Sequence, residues 1–261
     1  MREVNLGTVT LGCGPVKVAV PLVGSDWAAL QAELNALPDS SADLAEWRID
    51  CLMPFPDTAQ LLVLARQLKQ RLGSCPLLIT FRSLSEGGRL PLDAAAYQEF
   101  QLRLAKEQLP DLLDVELFSG LPNPSTHIAA LQREHIPVIA SRHFFAGTPA
   151  QPVIRASFQA MRESNADILK LAVMTQSPED LLSLLQFSAV WKQEADRPFV
   201  LIGMGPHGVL SRISGAEFGS CLSFGALCSS SAPGQLPARD LKRILSLLPE
   251  YPVSQTAEPR K

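Results

Sequence analysis

The sequence has no apolar run long enough to cross a membrane. Its longest, such as Pro76–Phe81 and Ile168–Met174, are strand-length, against the roughly 18 residues or more of a spanning helix. The N-terminus, MREVNLGTVTLGCGPVKV, lacks the uninterrupted apolar core of a secretory signal. A cytoplasmic protein with no membrane partner is therefore expected. Cysteine is sparse and odd in number, five residues (Cys13, Cys51, Cys75, Cys221, Cys228) with no CxxC pair. That pattern reads as small buried side chains in a reducing compartment, not as a disulfide frame or zinc site. The four histidines are scattered without metal spacing, so neither a metal nor a cofactor is expected. Excess positive charge is missing too: 23 Lys and Arg stand against 26 Asp and Glu, for a net charge of −3. A nucleic-acid partner normally requires a basic face. An anionic small-molecule substrate must instead be held by a few placed Arg or Lys residues.

What is present is a core-forming composition, 46% apolar and 19% charged, outside the range of disordered chains. The 261 residues suit two small domains or one α/β barrel of about 250 residues. Apolar runs mark eight strands: Lys17–Leu22, Leu44–Ile49, Leu77–Phe81, Leu112–Leu117, Val138–Ser141, Ile168–Val173, Phe199–Met204 and Cys221–Ala226. They recur at the length of one βα unit. Helical periodicity fills the gaps. Asp57-Thr58 opens a run through Leu61, Leu62, Leu64, Ala65, Leu68 and Leu72 that Gly73 stops, and Asp93 opens another through Tyr97, Phe100 and Leu104. Ser177 and Pro178 supply an N-cap and a first helical residue. An open doubly wound sheet should carry a Gly-rich turn after its first strand, and Pro21-Leu22-Val23-Gly24 is no such fingerprint. The pattern predicts a single (β/α)8 TIM barrel over residues 1–261, with no linker or second domain. Residues 1–14 are expected to form a hairpin closing the barrel floor, and residues 249–261 a frayed tail.

In such a barrel the reactive side chains lie at the C-terminal ends of the strands. Strand neighbours two apart share a face, which aligns Glu46, Arg48 and Asp50, then Thr80 and Arg82, Asp114 and Glu116, and Ser141 and His143. Lys170 interrupts Ile168-Leu169-Lys170-Leu171-Ala172-Val173. Burial of an ammonium is costly, and desolvation with nearby cations such as Arg48, Arg82 or Arg212 favours the neutral amine that attacks carbonyl groups. A solvated rim of ordinary ion pairs, or a lysine that snorkels, are the plain alternatives. Glu46 is expected to pair with Arg48 or Arg82; Met204 and Phe224 either line the site or fill the barrel, with core filling the expected role for Phe224.

Seven blocks then carry a likeness. Glu46-Trp47-Arg48-Ile49-Asp50, Thr80-Phe81-Arg82-Ser83 with Glu86-Gly87-Gly88, Asp114-Val115-Glu116-Leu117-Phe118 and Ser141-Arg142-His143 are four of them. Ile168-Leu169-Lys170-Leu171-Ala172, Ser211-Arg212-Ile213-Ser214-Gly215 and Ser230-Ser231-Ala232-Pro233-Gly234-Gln235 complete the set. In this order, from about residue 16 to 248, they resemble the signature blocks of type I 3-dehydroquinate dehydratases. The resemblance implies a (β/α)8 barrel, often homodimeric, that dehydrates 3-dehydroquinate to 3-dehydroshikimate in the shikimate pathway. It implies that Lys170 forms an imine with the substrate ketone, that His143 is the acid–base, and that Glu86 orients His143. It further implies that Arg212 grips the substrate carboxylate, that Glu46, Arg48 and Arg82 hold ring hydroxyls, and that Ser231 and Gln235 close over the ring. No fused shikimate dehydrogenase is expected.

The chain departs from that pattern at Pro21, Phe144, Ile202 and Gly205-Pro206-His207. Two competitors remain on sequence alone. One is another lysine-imine barrel such as a class I aldolase, for which Gly203, Gly205 and Gly208 are a loose phosphate-binding candidate. The other is a catalytically inactive barrel retained as a binding protein.

Overall fold

Strand-length runs of Val, Ile and Leu bounded by polar turns suit strands covered on both faces, and they assemble around a closed cylinder. The computed structural model describes residues 2–91, 93–228 and 230–248; the tail expected to fray, 249–261, lies outside these residues. Strands β1 (Val4–Asn5) and β2 (Thr10–Leu11) pair antiparallel. The barrel strands are β3 (Lys17–Leu22), β4 (Leu44–Arg48), β5 (Leu77–Thr80) and β6 (Leu112–Glu116), followed by β7 (Val138–Phe144), β8 (Ile168–Met174), β9 (Phe199–Met204) and β10 (Leu222–Phe224). They are hydrogen-bonded in chain order, all parallel, with β10 returning to β3. The remaining seam, between β9 and β10, is closed by a Phe199–Ser220 bridge, by the Cys221 N–H donating to the Phe199 carbonyl (2.9 Å), and by the Leu201 N–H donating to Ser220 Oγ (2.9 Å).

The helices between the strands start and stop where local chemistry demands. Helix α1 (Trp27–Ala36) precedes α2 (Thr58–Leu72), which opens on an Asp57–Gln60 capping box and ends at Gly73. Helix α3 (Ala94–Lys106) is capped by Asp93; α4 (Pro124–Arg133) and α5 (Gln151–Glu163) follow. Helix α6 (Pro178–Glu194) starts on Ser177, whose side chain accepts from the Asp180 N–H. Short helices α7 (Val209–Ile213) and α8 (Gly215–Phe218) precede α9 (Ala238–Leu247).

An aspartate stands immediately before β4, β6 and β8 and ties the barrel's amino end together. Asp43, Asp111 and Asp167 accept the first free N–H groups of the preceding strands, those of Val18, Leu77 and Val138, at 2.7, 2.7 and 2.8 Å. Inside the barrel the lowest layer is apolar: Ala19, Leu44, Leu78, Leu112, Ile139, Ile168, Val200 and Leu222. The β1–β2 hairpin seals it from below with Val4, Leu6, Val9 and Leu11. Two residues further along each strand, side chains point the same way. That next layer contains Glu46, Thr80, Asp114, Ser141, Lys170, Ile202 and Phe224. Charge therefore begins one layer above a dry floor, at the carboxyl end where barrel chemistry sits.

Two strands, β7 and β10, differ from the expectation by more than one residue at an end. Strand β7 runs past Ser141 to Phe144 because its pairing with β8 continues to Phe144–Val173, which fixes His143 on a strand. Strand β10 spans only Leu222–Phe224, since Gly225 and Ala226 turn into the loop that leads to α9.

Candidate active site

Lys170 sits in the middle of β8 and is only 5% exposed. Its Nζ lies 3.6 Å from Asp114 Oδ2 and 3.8 Å from Glu46 Oε1. The Phe224 ring covers it at 4.3 Å from Nζ to centroid. Burial lowers the Lys170 pKa; Glu46 and Asp114 oppose that shift, and Arg82 and Arg48 add to it. Phe224, expected to fill the core, does belong to the buried barrel cluster and also lines the cavity, because β10 places it opposite the amine.

Glu86 ends a short 3₁₀ turn, Leu84–Glu86, after β5, and Gly87 closes that turn in the left-handed region (φ 85°). The turn folds Glu86 inward so that its Oε2 lies 2.9 Å from His143 Nδ1. Among the described residues, His143 Nε2 has no hydrogen-bond partner and remains available to a ligand. Phe145 stacks against the imidazole with centroids 6.4 Å apart. Burial pushes the Glu86 pKa up to about 8 and depresses that of His143 well below the usual imidazole value. Burial thus penalises charge on either partner. Both shifts have the same leading cause, the desolvation of the pair.

Arg82 is the hub of the buried charges. Its Nη1 donates to Ser141 Oγ (2.9 Å) and Glu116 (3.0 Å), and its Nη2 to Asp114 (2.9 Å). Burial alone would lower its pKa, yet Asp114, Glu116, Glu86 and Glu46 together hold it raised. The expected pairing of Glu46 with Arg48 or Arg82 is not found. Arg48 forms a two-pronged bond to Asp50, both arms 2.8 Å, because Asp50 turns inward on the 3₁₀ segment Ile49–Cys51. Glu46 is left to accept from Thr80 Oγ1 at 2.9 Å and to face the amine.

Arg212 lies on α7, buried at 2% exposure, and burial lowers its pKa to about 10. Its Nη2 donates to the Pro233 carbonyl (3.1 Å), while its Nε is buried with no partner among the described residues. In the loop after β10, Ser231 and Gln235 bond to each other, the Ser231 N–H reaching Gln235 Oε1 at 2.8 Å. Every N–H of the glycine trio near β9 is already taken. Gly203 donates to Ser211 Oγ (2.8 Å), Gly205 to Pro233 O (3.1 Å) and Gly208 to Gly205 O (3.1 Å). The trio therefore offers no backbone cradle for a phosphate.

All nine residues singled out in the sequence (Glu46, Arg48, Arg82, Glu86, His143, Lys170, Arg212, Ser231 and Gln235) line one cavity of about 220 Å³. That is below the roughly 300–1,000 Å³ of sites for drug-sized ligands and suits one small, highly polar ring. Gly87, Phe145, Ala172, Ile202 and Met204 share the lining. Two participants carried no site assignment in the sequence. Phe145 was signalled only by standing two residues after His143. Asp114 was signalled by its place in the same inward layer as Lys170. Among the described residues, no group of three or more His, Cys, Asp or Glu side chains is placed to hold a metal ion.

A charge-lined cavity at the carboxyl ends of eight parallel strands is where barrels of this architecture carry out chemistry, and the chain is a (β/α)8-barrel enzyme. The type I 3-dehydroquinase family profile matches residues 18–252. A 3-dehydroquinate dehydratase from Listeria welshimeri is 36% identical over 95% of this chain and 98% of its own length. One from Escherichia coli is 34% identical over 95% and 99%. The crystal structure of the Clostridium difficile type I 3-dehydroquinate dehydratase, solved with covalent modified comenic acid, is 34% identical. It superimposes with a TM-score of 0.89 over 94% of this chain and 97% of that one. The Geobacillus kaustophilus 3-dehydroquinate dehydratase gives a TM-score of 0.90 at 32% identity, covering 94% and 96%. The chain belongs to the type I 3-dehydroquinase family.

Proposed function

We propose that the protein dehydrates 3-dehydroquinate to 3-dehydroshikimate through an imine on Lys170. The observation that carries this reading is a desolvated amine in the same small cavity as an imidazole–carboxyl pair. Burial favours the uncharged amine, which attacks the substrate ketone; loss of water gives a protonated imine. That cation accepts electrons, so the neighbouring C–H becomes acidic enough for an imidazole to remove its proton. His143 takes the proton and then delivers it to the departing ring hydroxyl, and hydrolysis of the imine frees product and lysine. Glu86, bonded to Nδ1, fixes the tautomer and the ring orientation. Arg212 holds the substrate carboxylate with donors that have few protein partners. Glu46 and Arg48 hold ring hydroxyls, Arg82 contributes through its remaining donor capacity, and Ser231 with Gln235 covers the ring. The covalent adduct in the Clostridium difficile relative supports covalent chemistry in this family. Placement in the shikimate pathway, a cytoplasmic location and a homodimer belong to the same reading on family likeness; no helix among the described residues is long and apolar enough to cross a membrane.

A sugar-phosphate aldolase is disfavoured by the consumed glycine N–H groups, and an inactive barrel by the presence of all nine lining residues. The test is borohydride reduction in the presence of 3-dehydroquinate, followed by peptide mass mapping, alongside ultraviolet detection of the conjugated enone product. Mass fixed on Lys170, with Lys170→Ala inert in both assays, is the expected result. Product formation surviving Lys170→Ala would refute the imine route.

A further inference from the structure

Asp114 is a fully buried carboxylate that the chemistry above leaves unused. It does not line the cavity, so it cannot hold a substrate hydroxyl as Glu46 can. Yet it is the carboxylate nearest the reacting nitrogen, with its Oδ2 3.6 Å from Lys170 Nζ. The same oxygen accepts from Arg82 Nη2 at 2.9 Å, and Oδ1 accepts from Ser141 Oγ at 2.6 Å. Both oxygens are thus fixed, and the carboxylate cannot swing away from the nitrogen.

Its backbone is fixed from outside the barrel as well. The β5–β6 ladder ends at Ile79–Leu113, so no β5 residue pairs with Asp114. The Asp114 carbonyl instead accepts from Tyr97 Oη (3.0 Å) and Gln101 Nε2 (2.8 Å) on α3. Gln101 is steadied in turn by His127 Nε2 at 2.8 Å from its Oε1. A break in the sheet and a layer of buried side chains hold one aspartate at one height.

We infer that Asp114 is the dedicated counter-ion of the protonated imine on Lys170. The inference rests on the imine reading and assigns it an electrostatic partner. The electron sink works only while the imine nitrogen keeps its proton. Around that nitrogen stand the cations Arg48 and Arg82, the His143–Glu86 pair, the Phe224 ring, Glu46 and Asp114, with Ile202 and Met204 apolar on β9. Glu116 is turned to Arg82 and the Ser83 N–H (2.8 Å), and Arg212 is engaged by Pro233. Glu46 faces the cavity and also has to meet substrate hydroxyls, whereas Asp114, at 3.6 Å against 3.8 Å, is shielded from substrate and committed to the nitrogen. Burial and arginines press the proton off the nitrogen, and Asp114 keeps it on. The positive charge that appears as the neutral amine becomes a protonated imine then meets a carboxylate already positioned.

Cyanoborohydride reduces protonated imines in preference to neutral ones, whereas borohydride reduces both. The ratio of mass fixed on Lys170 by the two reagents, with 3-dehydroquinate present, reports the protonated fraction at each pH. In the parent protein the ratio is expected to fall at some alkaline midpoint. In Asp114→Asn that midpoint should lie about one to three pH units lower, with the alkaline limb of kcat moving with it. Asp114→Glu, which keeps the charge, should restore most of the shift. A superimposable Asp114→Asn ratio profile would overturn the inference while leaving the imine intact. Failure of borohydride to mark the parent protein would overturn the imine and the counter-ion with it. Should Asp114→Asn fail to fold, Tyr97→Phe is read on the same axis, since it loosens the Asp114 carbonyl without touching the cavity. A smaller downward shift there supports the inference, and an unmoved profile overturns it.

Discussion

Gly88→Ala is a one-carbon change that should disable the enzyme without touching any ligand-facing atom. Gly88 lies two residues after Glu86, and its N–H donates to the Ser83 carbonyl at 2.8 Å. A Cβ at this position would lie 1.7 Å from the Arg82 carbonyl oxygen and 2.4 Å from its carbon. Ordinary contact is about 3.5 Å, so backbone must yield by roughly 1.8 Å on one side or the other. Neither side gives easily. Arg82 is anchored by Asp114, Glu116 and Ser141 through its guanidinium and by Asp50 at its N–H (3.1 Å). The displacement falls on the turn that carries Glu86, and the 2.9 Å bond to His143 is lost. Misplacement of a catalytic group by about 1 Å costs on the order of 10²-fold in rate, and backbone overpacking costs about 1–3 kcal/mol of stability. The expected outcome is kcat reduced at least about 10²-fold in the enone absorbance assay and a lower thermal midpoint. Lys170 lies across the barrel, so borohydride should still fix mass on it. A variant with kcat within a few-fold of the parent would refute the claim that this glycine holds the Glu86–His143 pair in register.

Two further outcomes follow from buried groups. Burial lowers the His127 pKa from 6.5 to about 4, so between those values the unfolded chain binds the extra proton. Stability is then lost as pH falls from 6.5 through about 4, by at most roughly 3 kcal/mol. Denaturant titrations should show a flatter acid limb in His127→Gln, and parallel limbs in variant and parent would contradict the assignment. Arg212→Lys removes a two-pronged partner from a buried position. A charged hydrogen bond of about 1.5–3 kcal/mol predicts KM raised roughly 10- to 150-fold with kcat much less affected; a fall in kcat at constant KM would reassign Arg212 to the chemical step.

Much of this molecule was readable without coordinates because its signals are local. Alternating runs of apolar residues, and caps such as Asp57 with Gln60 and Ser177 with Pro178, each act over a few residues of backbone. So does the cost of a lysine between Leu169 and Leu171, which makes Lys170 a candidate before any neighbour is known. The pairings were not readable. Glu46 and Arg48 are two apart on one strand and look like natural partners. The 3₁₀ segment after Arg48 brings Asp50 back to claim the guanidinium, and Glu46 turns to Thr80 and the amine. Phe224 was indistinguishable from a core residue, since an aromatic ring over an ammonium and one over a leucine have the same sequence signature.

The sequence by itself determined the number and order of the strands and the side chains that alternate inward, because strand periodicity, capping and burial cost are properties of short segments. Only the tertiary structure decided which charges meet, because the closing of eight strands brings residues tens of positions apart to within 4 Å. Electrostatic energy depends on that separation and on the exclusion of water, and neither exists until the barrel is shut.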